Sequence, residues 1–215
     1  MTDLSLYLVT DSAVAAAAGH ALPDVVAAAV AGGVTAVQVR EKNASRAQLL
    51  DVIGSVAEVL PAGVPLIVND DVMAFLDARA AGLAVAGVHV GQDDDPASDV
   101  RAAIGPDAVL GLSAATPAEL AAVDPAVVDH VGIGAMRGTP TKPDAPEALG
   151  LAGLRERAAL SPVPAVAIGG VTVADARALG RAGLAGIAVV SGICGAPDPE
   201  AAARAYASAW QEQDR

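Results

Sequence analysis

Two lysines remain in a chain that otherwise carries its positive charge on eleven arginines, and both stand where chemistry could be done. Lys142 closes the stretch Gly134-Ala-Met-Arg-Gly138-Thr139-Pro140-Thr141-Lys142-Pro-Asp144, where glycine and the prolines forbid a helix and dictate a loop. Two hydroxyls and an ammonium within four residues suit the oxygens of a phosphate, although Thr-Pro-Thr-Lys is also an ordinary turn. Lys42 ends Gln38-Val39-Arg40-Glu41-Lys42, and Gln38 and Arg40 share one face of a strand by its period of two. A lysine kept against an arginine background fits a site that takes a compact ammonium better than a planar fork.

Carboxylates complete the pattern. Asn69-Asp70-Asp71 and His89-Val-Gly-Gln-Asp-Asp94-Asp95 each follow a short apolar run. Such residues also cap helices, but carboxylates at two neighbouring strand ends, beside lysines, suit Mg²⁺ shared with substrate phosphates. Ser113 either faces a substrate or, with Thr116, caps the next helix. Gly169-Gly170 and Val190-Ser191-Gly192 supply turns whose backbone N–H groups could receive a phosphate. His89 reads as a core or supporting histidine, and His20 and His130 have no evident partner. No Ser–His–acid set stands out, so nucleophilic catalysis is not indicated.

These residues need a scaffold that brings strand ends together. A short β-branched run followed by an alanine-rich helical segment recurs eight times. The expected strands are 4–10, 36–40, 66–69, 88–91, 109–113, 131–134, 165–169 and 187–191. The expected helices are 23–31, 45–60, 71–81, 96–104, 117–123, 149–159, 173–182 and 199–211, with Ser45, Thr116 and Thr172 as N-caps. Apolar strands alternating with helices imply a parallel sheet covered by helices. Eight units closing on themselves make a (β/α)8 TIM barrel, with its chemistry at the C-terminal strand ends. An open doubly wound sheet would carry a glycine-rich turn after the first strand, where Val9-Thr10-Asp11 stands instead. No linker divides the chain, so residues 1–215 are expected to form one catalytic domain.

Composition excludes other classes. The chain is 53% hydrophobic but 2% aromatic, with net charge −12. It has no basic cluster and few stacking rings, which argues against nucleic acid. No apolar run approaches the roughly 20 residues of a membrane span, and the start lacks the pattern of a signal peptide. The single cysteine, Cys194, permits no internal disulfide, which fits a cytoplasmic location. The expected partners are small phosphorylated molecules, and self-association into a homo-oligomer is left open.

Taken in order, Gln38-Val-Arg-Glu-Lys42, Asn69-Asp70, the segment 88–94, Gly111-Leu-Ser113, Thr139-Pro-Thr-Lys142, Ile168-Gly-Gly170 and Val190-Ser191 resemble the thiamine-phosphate synthase family. The resemblance implies a TIM barrel that joins a hydroxymethylpyrimidine diphosphate to a thiazole phosphate and releases pyrophosphate by a dissociative route. It implies that Gln38, Val39, Arg40, Glu41, Lys42, Asn69, Ser113 and Lys142 bind the pyrimidine diphosphate, with Lys42, Ser113 and Lys142 catalytic. Asp70 and Asp94 would hold Mg²⁺, and Thr139, Pro140, Thr141, Gly170, Val190 and Ser191 would hold the thiazole phosphate. Three places depart from the family pattern. Asp71 stands where an arginine is usual, Ala115 where a histidine is frequent, and Ala135-Met136-Arg137 where a proline and aromatic-like residues are common. Arg137 is the candidate to replace the cation lost at Asp71. The alternatives are a thiazole tautomerase of the same fold, which needs no diphosphate apparatus, and a barrel that binds thiazole phosphate without catalysis.

Overall fold

The computed structural model describes residues 2–138 and 148–212. Eight parallel strands close into a barrel in sequence order: β1 (Leu6–Val9), β2 (Ala36–Val39), β3 (Leu66–Asn69), β4 (Gly87–Val90), β5 (Val109–Ser113), β6 (His130–Ile133), β7 (Ala165–Ala167) and β8 (Gly186–Val189). Closure comes from β8 pairing with β1, Tyr7 opposite Ala188. Among the described residues ten helices flank the strands: α1 (Ser12–Ala17), α2 (Leu22–Ala31), α3 (Arg46–Val59), α4 (Val72–Ala80), α5 (Ala97–Ile104), α6 (Pro117–Ala121), α7 (Gly150–Leu160), α8 (Val173–Arg181), α9 (Ser191–Cys194) and α10 (Pro199–Gln211). The barrel expected from the recurring pattern is the one found.

Alternation along each strand builds two cores. Leu6, Leu8, Val37, Val39, Leu66, Val68, Val88 and Val90 face outward and pack against the helices in the larger one. Tyr7, Val9, Ala36, Ile67, Val166 and Ala188 face inward and fill the barrel. With so few rings, the outer core is built from Val, Leu, Ile and Ala side chains of strands and helices.

The expected caps form. Ser45 and Thr116 each close a reciprocal capping box, with Gln48 and Glu119, and Thr172 caps α8. The short helices α1 and α9 are additions to the expected pattern. Asp11 accepts a hydrogen bond from Val14 N at 3.0 Å and starts a single alanine-rich turn and a half. Helix α9 is one turn following β8. Neither is long enough to show a periodicity in sequence.

Candidate active site

The inward-facing residues decide what the barrel mouth contains. Strand register sets Gln38 beside Val9 and Ile67, Asn69 beside His89, His89 beside Gly111, and Ser113 beside Gly132. Above this layer, at the C-terminal strand ends, opens a cavity of about 550 Å³. Gln38, Arg40, Lys42, Asn69, Asp70, Asp94, Ser113, Gly170, Val190 and Ser191 all line it. Ten residues singled out from sequence therefore converge from six strand ends.

Period two also separates two of the expected residues from the rest. The side chain of Val39 is fully buried in the outer core. Glu41 instead accepts a hydrogen bond from Ser12 on α1. Both side chains sit on the opposite face from Gln38 and Arg40. Thr139, Pro140, Thr141 and Lys142 lie outside the described residues.

Asp70 is the most constrained residue of the site. Among the described non-glycine residues it alone has positive φ, at 60°, a left-handed conformation that costs energy for a side chain with a Cβ. Its N–H donates to the His89 carbonyl at 2.8 Å, which fixes the turn on β4. Burial first, then the neighbouring Asp94 carboxylate, push Asp70 up to about 6, while a hydrogen bond from Asn69 and the Arg40 charge pull the other way. Asp94 is itself held by Gly91 N–H donating to its Oδ2 at 2.7 Å. Two oxygen-donor carboxylates that resist sharing negative charge fit a divalent cation of the Mg²⁺ type. Among the described residues no three His, Cys, Asp or Glu side chains stand close enough to enclose a metal by themselves. The remaining ligands of a cation here would be water and substrate.

Beneath the mouth, polar groups support one another. Gln38 Nε2 donates to Tyr7 Oη at 2.9 Å. His89 Nε2 and Ser113 Oγ are 3.1 Å apart, and Gln92 Nε2 donates to Ser113 O at 2.6 Å. Ser113 thus faces the cavity with His89 behind it, and Thr116 takes the capping role. His130 lies deeper, 5.5 Å from the His89 ring and 6.0 Å from Tyr7 between centroids. Burial lowers its pKa to about 4, so it is neutral near pH 7. Gly111 makes room for both imidazoles: a Cβ there would come within 2.3 Å of His89 Nδ1 and 2.6 Å of His130 Nε2.

The departures noted in sequence resolve individually. Asp71 turns away from the mouth, accepting from Ala74 N at 2.8 Å as the cap of α4 and lying 3.4 Å from Arg46 Nε. Arg137 does not replace the missing cation. Its two terminal nitrogens donate to the Asp175 carboxylate at 2.5 and 2.7 Å, and the Arg137 hydrogen bonds are the main reason Asp175 is held down at about 2. Ala115 donates its N–H to Glu119 Oε2 at 2.7 Å. Sequence reasoning missed Tyr7 and the Arg137–Asp175 pair. Tyr7 could have been found from the inward face of β1, whereas Asp175 lies 38 residues from its partner and gives no local signal.

A closed parallel barrel with paired carboxylates, an arginine and a lysine around its C-terminal mouth defines a TIM-barrel enzyme of small anionic substrates. Residues 6–193 match the family model for thiamine monophosphate synthase. The chain belongs to that family. It is 47% identical over 208 residues to the thiamine-phosphate synthase of Xanthobacter autotrophicus, covering 96% of this chain and 95% of that protein. It is also 47% identical over 206 residues to the thiamine-phosphate synthase of Roseiflexus castenholzii, covering 93% and 85%. Among solved structures, the thiamine phosphate pyrophosphorylase of Pyrococcus furiosus superposes with a TM-score of 0.84 at 29% identity, covering 98% of this chain and 97% of that one.

Proposed function

We propose that residues 1–215 act as one catalytic unit that makes thiamine phosphate. It couples 4-amino-2-methyl-5-(diphosphooxymethyl)pyrimidine to 4-methyl-5-(2-phosphooxyethyl)thiazole and releases pyrophosphate. The observation that carries this reading is the grouping of Asp70, Asp94, Asn69 and Arg40 in one corner of the cavity, with Lys42 on the same wall. A tautomerase handling thiazole phosphate alone has no use for that corner.

Gln38, Arg40, Lys42, Asn69, Ser113 and Lys142 bind the pyrimidine diphosphate. Gly170, Val190 and Ser191 line the opposite wall, and they hold the thiazole phosphate together with Thr139 and Thr141. The positions expected after strands seven and eight suit it, because glycine turns and a short helix there expose N–H groups. Asp70 and Asp94 would hold Mg²⁺, which when bound would supply charge that neutralises the diphosphate.

The carbon–oxygen bond between the pyrimidine methylene and the diphosphate breaks, and its electron pair leaves with pyrophosphate. The thiazole nitrogen then gives its lone pair to that carbon, forming the carbon–nitrogen bond of the product. No proton needs to be removed from the nitrogen, so the coupling asks for no general base. Arg40, Lys42 and Lys142 stabilise the charge that builds on the leaving group, a preorganised electrostatic contribution. Ser113, backed by His89, orients the pyrimidine. A cytoplasmic setting suits the single thiol, Cys194, which is buried, and no described helix is long and apolar enough to cross a membrane.

The test is Lys142→Ala assayed with both precursors and Mg²⁺. The expected result is a rate lowered about a hundredfold or more with an unchanged unfolding midpoint. An unchanged rate per folded molecule would remove Lys142 from the catalytic set.

A further inference from the structure

The Arg137–Asp175 pair joins two strand ends that sit side by side in the barrel. Arg137 follows β6 and Asp175 occupies the first turn of α8, beyond β7. Arg137 Nη1 donates to Asp175 Oδ2 at 2.5 Å and to the Gly170 carbonyl at 3.1 Å, and Nη2 donates to Oδ1 at 2.7 Å. The same carboxylate accepts from Thr172 N at 2.8 Å and Thr172 Oγ1 at 2.6 Å. Backbone bonds run alongside, Met136 N to Ile168 O at 3.0 Å and Arg137 N to Gly169 O at 2.9 Å.

Contact between the two segments leaves no slack. A Cβ on Gly169 would come within 2.7 Å of Ala135 Cβ, and one on Gly170 within 2.9 Å of Arg137 Cβ. The positive φ of both glycines, 88° and 67°, is therefore held against the 135–137 segment rather than merely allowed. A capping box alone requires only an acceptor oxygen at position 175. A bidentate guanidinium adds fixed geometry and cancels a charge. That second effect matters here, because an uncompensated carboxylate beside Gly170 would repel an incoming phosphate.

We propose that Arg137 and Asp175 are a positioning pair for the thiazole-phosphate subsite, setting the Gly169-Gly170 turn and masking the carboxylate that caps α8. The inference rests on the synthase reading above. Arg137 does not line the cavity and acts through Gly170, so substrate selectivity of the defect is its signature.

The experiment measures steady-state kinetics for Arg137→Gln, Arg137→Lys and the double variant Arg137→Gln/Asp175→Asn. Arg137→Gln should raise KM for the thiazole phosphate on the order of ten- to a hundredfold, with KM for the pyrimidine diphosphate unchanged within about twofold. The double variant, with no bare carboxylate, should recover part of that loss, and Arg137→Lys should fall between wild type and Arg137→Gln. Equal rises in both KM values, absence of recovery in the double variant, or a change confined to the melting temperature would each overturn the pair's role. Should the wild-type chain form no thiamine phosphate, the synthase reading fails on its own. Calorimetric titration with the thiazole phosphate then decides the pair: about tenfold weaker binding to Arg137→Gln supports it, and equal or undetectable binding to both proteins overturns it.

Discussion

Asp70 shows how much of the site rests on single side chains. It accepts a left-handed backbone so that its carboxylate meets Asp94 while Arg40 and Asn69 stand by. Asp70→Asn keeps the shape and removes the charge, so the Mg²⁺-dependent rate should fall about a hundredfold or more. Rate measured against Mg²⁺ concentration checks this, and an unchanged curve would move the metal elsewhere. His130 carries a prediction of the opposite kind, about stability rather than turnover. Its folded pKa near 4 lies below the ordinary value of 6.5, so the unfolded chain binds the extra proton. The neutral form is accommodated fully above pH 6.5, and stability is lost as pH falls from there toward 4. Between pH 7 and pH 5 this amounts to about 2 kcal/mol. Denaturant unfolding at the two pH values should show the wild type losing about 2 kcal/mol more than His130→Phe, because the opposite contribution of Asp70, whose folded pKa is raised, is common to both proteins and cancels in the difference. At this scale the inward-facing pairs were legible, because Gln38 and Arg40 obey a period of two. Arg137 was misjudged, because sequence reveals a charge but not the distant carboxylate that neutralises it.

At the scale of elements, the strand ends were legible and the shortest helices were not. Ser45, Thr116 and Thr172 announced their helices through cap chemistry that needs only neighbouring residues. Helices α1 and α9 span 6 and 4 residues, too few to display an apolar stripe. Asp71 is intelligible only as part of α4: Asp71→Ala removes its cap and should cost about 1 kcal/mol of stability, read as a lowered unfolding midpoint. Gly111 couples β5 to both neighbours. Gly111→Ala drives a methyl into the His89 and His130 imidazoles, so it should cost about 1–3 kcal/mol and disturb the support of Ser113 as well. A variant as stable as wild type, with unchanged kinetics, would mean that the imidazoles move freely.

The whole molecule uses topology to solve a charge problem. A chain of net charge −12 must receive two anionic substrates, and the barrel gathers Arg40 and Lys42 at one mouth with Asp70 and Asp94, the proposed Mg²⁺ pair. That placement follows from closure: residues scattered from Gln38 to Ser191 meet because every strand ends on the same side. The recurring strand–helix pattern made this much readable in advance. The central claim is the coupling of the two heterocycles, and one assay addresses it directly. The chain is mixed with the pyrimidine diphosphate, the thiazole phosphate and Mg²⁺, and thiamine phosphate and pyrophosphate are both quantified. Equimolar formation of the two products is expected, abolished by chelating the metal or omitting the thiazole. No thiamine phosphate from a folded chain given both precursors and Mg²⁺ would contradict it.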